Sequence, residues 1–407
     1  MLKKVAVSDL RMGMYIHELC GSWMDHSFWR SRFLIDKESD LNRLNGSKLK
    51  WVWIDTKRGV DVAASGASAA SPAPSAASRR PAAKPATPAA LAVAASPEQE
   101  AFANARDVCE VARDRVAQMY ADARQGSRID LAQVDRLVQD MVVSVEEHPD
   151  ALTSLVRIKR ADQYTYMHSV AVATLMTTLS QSMGMPEEQV RQAGMAGLLH
   201  DIGKVGIPES ILNKPGRLLP DEYARVQKHP ELGEALLRED ADVPPAVVDV
   251  CRHHHERFDG EGYPDRLPGP QIAQLARMAS VCDVYDAVTS NRPHKKGWDP
   301  AFALHKMLHW EGQFDPDILQ AFVRAIGRYP VGSIISLTQS ELGLVVAQNR
   351  EAPELPVVKV FYSIRWSHAI PERRVDLAED GCPSRILPVA FPVDWAQSGL
   401  PVPSITG

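Results

Sequence analysis

Two neighbouring ionisable residues, His200 and Asp201, stand where an apolar helix is expected to end. They lie in the stretch "LLHDIGKVGIP", residues 198–208, together with a glycine, a lysine and a proline. Burying two ionisable groups costs free energy unless other groups pair with them. A metal ion would satisfy both side chains, so the sequence predicts that further metal ligands lie elsewhere in the chain.

Histidines are concentrated in one region that could supply these ligands. The chain contains 13 histidines, and His168 is the first of six that fall between residues 168 and 255. His168 shares one face of a predicted helix with Val172, Leu175 and Leu179. A lone histidine on such a face is usually a core residue that hydrogen-bonds to the backbone, but His168 is one of several. The other candidates lie on or beside four further apolar segments: His200, Asp201, His229, His253, His254, His255 and Asp283.

This set of side chains favours a particular metal chemistry. Imidazole nitrogens mixed with carboxylate oxygens suit a borderline divalent metal such as iron, manganese, zinc or nickel. Asp201 and Asp283 each have two oxygens, and either could bridge two ions. Because about six candidate ligands are available, a two-metal site is favoured over a single zinc ion. Cys251 and Cys282 are neighbours of the set in sequence, and we interpret them as small buried residues rather than ligands.

The elements that position these residues are predicted to be helices. Apolar residues recur at three- and four-residue intervals over residues 164–183, 187–200, 221–239, 245–255, 271–289, 300–310 and 315–326. Ala193 and Gly197 would allow the second of these helices to approach a neighbour closely. The region 101–328 is therefore expected to form an all-α domain.

Composition changes on both sides of the helical region. Between residues 61 and 100, 28 of 40 residues are Ala, Pro or Ser, which predicts a flexible linker. Residues 1–60 contain alternating runs such as "WVWID" and are expected to form a small β-rich domain. Residues 329–407 return to β-branched alternation and predict a short C-terminal β extension that packs on the helices. The expected fold class is multidomain, with a helical domain between two β-rich pieces.

Charge, hydropathy and cysteine content exclude several functional classes. The net charge is −5, so no overall basic field predicts a nucleic acid polymer as partner. No signal peptide is expected, and no apolar run approaches the roughly 18 residues of a membrane span. The five cysteines are scattered and form no CxxC pair, which favours a reducing compartment. These features predict a cytoplasmic protein, and a homodimer is compatible with them.

Several motifs occur in a fixed order over residues 164–326. "HDIGK" is followed by "IPESILNKPGRL", "HPELG", "HHERFDGEGYP" and "DVYDAVTSNRP". This series resembles the HD-GYP domain, a branch of the HD phosphohydrolase superfamily. The resemblance implies an all-α bacterial metalloenzyme that hydrolyses the second messenger cyclic di-GMP to pGpG, GMP or both.

The resemblance also implies roles for particular residues. The implied metal ligands are His168, His200, Asp201, His229, His254, His255 and Asp283. Asp201 would bridge two divalent ions, iron or manganese before nickel or zinc, that activate a water for attack. Lys204, three residues after Asp201, would act with it in catalysis by placing positive charge near the phosphate or the leaving 3′ oxygen. Some family members have a third metal, held by a Glu at the position of Tyr164. The Tyr at this position predicts two metals and favours pGpG as the product.

Substrate and partner contacts follow from the same resemblance. Asp286, Arg292 and Lys295 are implied substrate-binding residues, and the loop Gly262, Tyr263 and Pro264 would serve substrate access and contacts with diguanylate cyclase domains. The N-terminal piece resembles a small domain of unknown function that often precedes HD-GYP domains. Its role could be sensing, dimerisation or positioning.

Two other functions remain as alternatives. The first is a non-catalytic cyclic di-GMP sensor or interaction module that acts through the GYP loop. The intact ligand set argues against it. The second is an HD phosphohydrolase with another substrate, such as a different cyclic dinucleotide, against which the GYP motif and the basic pair argue. His253, which precedes the matched pair of histidines, has no assigned role, and a solvated or supporting position is favoured over ligation.

Overall fold

The chain divides into two compact units, Met1–Ala95 and Ser96–Gly407, in the computed structural model. The residues that the structure describes are 2–20, 33–35, 41, 44, 51–56, 58–60, 97–148, 150, 152, 164–214, 216–291, 296–349, 351–387, 395, 400–403 and 405. Most of the predicted linker, residues 61–96, lies outside the described residues.

The first unit is built around a small antiparallel sheet. Its strands are β1 (Leu2–Ala6), β2 (Tyr15–Cys20), β3 (Phe33–Leu34) and β4 (Trp51–Asp55). They pair in the order β1-β4-β2-β3. The sequence "WVWID" forms β4, and its alternation buries Val52 and Ile54. These two side chains join a core with Val5, Val7, Leu10, Met14, Ile16, Ile35 and Leu44.

The second unit consists mainly of helices. They are α1 (Pro97–Arg124), α2 (Leu131–Glu147), α3 (Tyr164–Ser182), α4 (Glu187–Leu199), α5 (Glu209–Leu212), α6 (Pro220–Val226), α7 (His229–Leu237), α8 (Pro245–His253), α9 (Gln274–Thr289), α10 (Pro300–Met307) and α11 (Pro316–Ile326). Short 3-10 turns follow α4 at Ile202–Gly206 and precede α9 at Gly269–Gln271.

Helix α3 lies at the centre of the helical core. It packs against α1, α2, α4, α9 and α11, and its residues from Val170 to Ala173 are completely buried. The contact with α4 is close because Gly197 has no side chain: a Cβ there would lie 2.5 Å from Cα of Ala173. The predicted close approach of these helices is confirmed, and it brings the end of α4 next to α3.

One predicted helix is interrupted. The sequence pattern over 221–239 predicts a single helix, whereas the structure ends α6 at Val226 and begins α7 at His229. Pro230 explains the break because it has no N–H to donate to the carbonyl of Val226, four residues earlier. The break places His229 at the first turn of a new helix.

The C-terminal sheet belongs to the second unit. Its strands β5 (Ile334–Leu337), β6 (Glu341–Ala347), β7 (Val357–Ser363) and β8 (His368–Asp376) pair in sequence order, and each pair is antiparallel. Asp299 ties this sheet to the helices. Its Oδ1 accepts hydrogen bonds at the start of α10, and its Oδ2 accepts one from the N–H of Ile334 at 2.8 Å.

The predicted fold class, a helical domain with a β-rich N-terminal piece and a C-terminal β extension, is confirmed. Within the described residues, no helix combines the length and the apolar character that a membrane span requires.

Candidate metal centre

Five elements of the helical domain converge on one buried cluster of histidines and aspartates. His168 lies on α3, His200 and Asp201 at the end of α4, His229 at the start of α7, His254 and His255 after α8, and Asp283 on α9. Three groups of these residues place their ligand atoms within 4.8 Å of one another: His229, His254 and His255; His168, His200 and Asp283; and His200, Asp201 and His254. All seven sequence-predicted ligands therefore meet at one place.

Asp201 lies between two pairs of histidines. Its Oδ2 is 3.4 Å from Nε2 of His200 and 3.7 Å from Nε2 of His168. Its Oδ1 is 3.2 Å from Nε2 of His229 and 3.9 Å from Nε2 of His254. Each oxygen of one carboxylate thus faces a different histidine pair, which is the arrangement that a bridging ligand between two cations needs.

Backbone carbonyls orient three of the histidine rings. Nδ1 of His200 lies 2.8 Å from the carbonyl of Gly197, and Nδ1 of His254 lies 3.0 Å from that of Cys251. Nδ1 of His229 lies 2.7 Å from the carbonyl of Val226, which Pro230 leaves without its helical donor. A ring whose Nδ1 donates to a carbonyl carries its lone pair on Nε2. All three Nε2 atoms therefore point a lone pair towards Asp201.

A carboxylate performs the same task for the fourth ring. Nδ1 of His168 lies 2.6 Å from Oδ2 of Asp286, and its Nε2 lies 3.0 Å from Oδ1 of Asp283. Asp286 is completely buried. Its carboxylate therefore lies behind the histidine, and its role in binding substrate stays a prediction.

Burial and mutual repulsion keep His254 and His255 neutral. Burial and the neighbouring imidazoles lower the pKa of His254 well below its usual range, and burial with His229 lowers the pKa of His255 to about 3. Burial alone would raise the pKa of Asp201, but the positive charge of the nearby Lys204 lowers it far below its usual range. Neutral imidazoles and ionised carboxylates are the protonation states that bind divalent cations.

The donor set therefore fits a divalent metal site. Nε2 of His200 is buried and makes no hydrogen bond within the described part of the chain, although it lies beside Asp201. A buried polar atom without a partner is costly in a native structure, and a cation would supply the missing partner. The His/Asp cluster is compatible with divalent metal binding.

Lys204 reaches the same carboxylate from the side of the solvent. It lies on the 3-10 turn after α4, its Nζ contacts Oδ2 of Asp201, and 24% of its side chain is exposed. Lys204 is thus partly exposed while its ammonium contacts the buried carboxylate, and its role in catalysis stays a prediction.

The loop Gly262–Pro264 also lies against the cluster. The ring of Tyr263 stacks on that of His255, with centroids 4.8 Å apart and an angle of 27° between the planes. His253 lies apart from the ligands: its two nitrogens contact Asp249 at 2.9 Å and Asp265 at 3.0 Å.

Three sequence predictions fall outside the described residues or side chains. Arg292 and Lys295, the predicted basic pair, lie outside the described residues. Tyr164 is the first residue of α3, one turn before His168, but its side chain is not among those described.

The role of Asp286 is the functional feature that the sequence reasoning missed. A signal was present, because Asp286 follows Asp283 by three residues on α9, and residues three apart share one face of a helix. That spacing predicts that both carboxylates point towards α3, but not which of them holds a histidine from behind.

A helical domain whose histidine and aspartate side chains meet in one buried cluster is typical of the HD class of metal-site proteins. Residues 136–318 match the family described as HD domain, and residues 2–134 match the domain of unknown function DUF3391. The chain belongs to the HD-GYP branch of this superfamily and carries the DUF3391 domain at its N-terminal side.

Three bacterial phosphodiesterases are similar to this chain. A cyclic di-GMP phosphodiesterase from Pseudomonas aeruginosa is 48% identical over 392 residues, which cover 95% of this chain and 92% of that protein. A cyclic di-GMP phosphodiesterase response regulator from Xanthomonas campestris is 36% identical over 46% of this chain and 51% of its own length. A 3′3′-cGAMP-specific phosphodiesterase from Vibrio cholerae is 34% identical over 40% of this chain and 32% of its own length.

Proposed function

We propose that this chain hydrolyses cyclic di-GMP to pGpG, GMP or both at a two-metal site. The observation that carries the proposal is the position of Asp201, whose two oxygens face two different histidine pairs. The similarity to the Pseudomonas aeruginosa phosphodiesterase over almost the full length of both chains supports the same activity and substrate.

Two divalent ions, iron or manganese, are proposed as the cofactors. His168, His200 and Asp283 would hold one ion, and His229, His254 and His255 the other, with Asp201 shared between them. When bound, such ions neutralise the negative charge of a phosphodiester and lower the pKa of a water molecule. The mixed nitrogen and oxygen donors support this choice of metals.

The chain's own residues would prepare the site for in-line attack on phosphorus. The carbonyls of Gly197, Val226 and Cys251 hold three imidazoles in one tautomer, and Asp286 holds His168. Orientation of this kind lowers the barrier because the donors need not reorganise during the reaction.

Lys204 would stabilise the charge that develops on the phosphate. Its exposed fraction of 24% allows it to leave Asp201 for a phosphate oxygen or the leaving 3′ oxygen when substrate binds. Arg292 and Lys295 are proposed to bind the second phosphate of the cyclic dinucleotide, because the negative charge there needs a second basic group.

The loop Gly262–Pro264 is proposed to serve substrate access and contacts with diguanylate cyclase domains. The stacking of the Tyr263 ring on His255 supports a role in substrate access. The exposed neighbours Asp265 and Arg266 offer a surface for the contact with a cyclase domain. Retention of a purified cyclase domain by the native chain, but not by a Tyr263→Ala variant, would support the contact. Equal retention of the cyclase domain by the native chain and the variant would contradict the proposed contact.

The domain boundaries of the chain are part of the same proposal. Residues 1–60 would form the N-terminal domain, 61–100 the linker, 101–328 the catalytic domain and 329–407 its β extension. The division of the structure after Ala95 supports the first boundary region.

The test is turnover of cyclic di-GMP by protein purified without oxygen, with metal content measured on the same sample. Hydrolysis with about two iron or manganese ions per chain is expected. Parallel assays with 3′3′-cGAMP determine the substrate, since a relative named for that dinucleotide is 34% identical over 165 residues. Nucleotide binding by a metal-loaded chain without hydrolysis would contradict the proposal and favour the sensor.

A further inference from the structure

Glu256 is a buried carboxylate directly after the paired histidines 254 and 255. It is 2% exposed. Its Oε1 accepts hydrogen bonds from the N–H groups of Asp265 and Arg266 at 2.7 and 2.9 Å, and its Oε2 accepts one from Leu267 at 3.1 Å. Burial of this charge is thus balanced by three successive backbone donors.

The backbone of the loop is shaped around this carboxylate. Arg266 has a φ of 57°, in the left-handed region that a non-glycine residue rarely adopts. A left-handed residue within a turn directs successive N–H groups into one concave site that binds an anion. Glu256 fills the site that residues 265–267 form, so the turn and the carboxylate stabilise each other.

The same loop carries the aromatic ring that covers the cluster. Tyr263 stacks on His255, and its N–H donates to the carbonyl of His255 at 3.3 Å. Gly262 packs directly against the backbone of Glu256 and Arg257. A Cβ at Gly262 would be 2.5 Å from Cα of Glu256 and 2.3 Å from N of Arg257. The position of Tyr263 is therefore fixed on both sides, by Gly262 before it and by the turn at residues 265–267 after it.

Contacts on the outer side of the loop are more exposed. Nε and Nη2 of Arg252 donate to the carboxylate of Asp265 at 2.6 and 2.8 Å, and 26% and 34% of these two side chains are exposed. Exposed ion pairs contribute little to stability, whereas buried charge-assisted hydrogen bonds contribute more. Glu256 is the buried anchor of the loop.

We infer that Glu256 is a positioning residue that holds the GYP loop so that Tyr263 covers His255. Its effect on turnover rests on the proposed phosphodiesterase function, whereas its hold on the loop does not. Within the described part of the chain, the hydrogen bonds of the Glu256 carboxylate come from the backbone of residues 265–267 and not from the predicted metal ligands, so we expect it to act through the loop.

Hydrogen–deuterium exchange of the full-length protein tests the anchor directly. In Glu256→Gln, the side chain loses its charge and presents an NH₂ group to a backbone donor. We expect the amides of residues 265–267 to exchange at least tenfold faster, with the amides of α3 unchanged. Glu261→Gln makes the same chemical change on an exposed side chain of the same segment and should leave these amides protected. Native protection in Glu256→Gln would overturn the inference.

Kinetics of the metal-loaded protein test the consequence. Glu256→Gln should lower kcat for cyclic di-GMP at least tenfold at unchanged metal content and with a smaller change in KM. Glu256→Asp, which keeps the charge, should recover part of the loss. Full kcat in a variant whose loop amides exchange fast, or a loss that follows the loss of metal, would overturn the link between loop and turnover.

A variant that does not fold and a native chain without activity each require a second measurement. If Glu256→Gln does not fold, exchange is measured on Glu256→Asp, whose shorter side chain should leave the three amides only partly protected, and native protection there would overturn the anchor. If the native chain does not hydrolyse cyclic di-GMP, the proposed function fails, while exchange still decides whether Glu256 holds the loop.

Discussion

Nδ1 of His168 lies 2.6 Å from the carboxylate of Asp286, a residue 118 positions further along the chain. On the other side of the ring, Nε2 lies 3.0 Å from Asp283. Burial opposes protonation of His168, but its hydrogen bonds to Asp283 and Asp286 raise the pKa of the imidazole. The two carboxylates fix the ring from both sides, and one of them is available to a cation.

Replacing Asp286 should weaken metal binding without altering the ligand set. Asp286→Asn removes the charge that orients His168, and loss of such a supporting carboxylate typically costs 10–100-fold in metal affinity. We expect the variant to lose metal at roughly 10–100-fold lower chelator concentration than the native protein. Asp221→Asn, an exposed substitution on α6, is the control. Equal resistance of Asp286→Asn and native protein to the chelator would contradict this role.

Replacing Asp201 should abolish metal binding and hydrolysis together. Asp201→Ala removes both oxygens that face the histidine pairs, while the helices around it keep their apolar contacts. We expect less than about 1% of native turnover, since Asp201 would hold both ions and these would lower the pKa of the attacking water. Metal content and the far-ultraviolet circular dichroism spectrum are measured on the same samples. Native turnover by this variant would show that the site lies elsewhere.

Metal removal should destabilise the helical domain. An ion that binds only the folded state at 100 times its Kd adds about 2.7 kcal/mol to the free energy of unfolding. For a domain of this size that corresponds to a decrease of roughly 5–10 °C in the Tm on chelation. Calorimetry with and without chelator measures the change. Asp201→Ala should show no such decrease, and an equal decrease in this variant would assign the stabilisation to ions bound elsewhere.

Lys306 provides a pH dependence that is independent of the metal cluster. Burial lowers the pKa of its ammonium from 10.5 to about 8, although the group also lies 5.3 Å from the centroid of the Phe302 ring. Between these two pH values the unfolded chain binds the proton that the folded chain has released, so stability should rise with pH.

The comparison with Lys306→Met isolates this effect. Below pH 8 the variant should exceed the native protein in free energy of unfolding, and the difference should shrink as the pH rises towards 10. Urea unfolding at several pH values measures it. A difference that stays constant over this range would show that Lys306 titrates at its usual pKa.

Much of the fold and of the site could be predicted from short stretches of sequence. Apolar residues at helical spacing predicted α3, α4 and α9 because the period of the pattern depends only on local geometry. His200 and Asp201 could be located at a helix end for the same reason. The break before α7 is not predicted, although Pro230 is present in the sequence. Apolar residues on both sides of Pro230 suggest one continuous helix.

The sequence by itself determined which side chains could bind a metal, since ligand chemistry depends on residue type and helix ends are set locally. Only the tertiary structure decided how these side chains face one another. The two oxygens of Asp201 meet different histidines, and Asp286 supports His168, because α3, α4 and α9 pack on one another and α7 packs on the turn after α4. The direction of a buried side chain depends on neighbours that are distant in sequence, and local patterns carry no information about them.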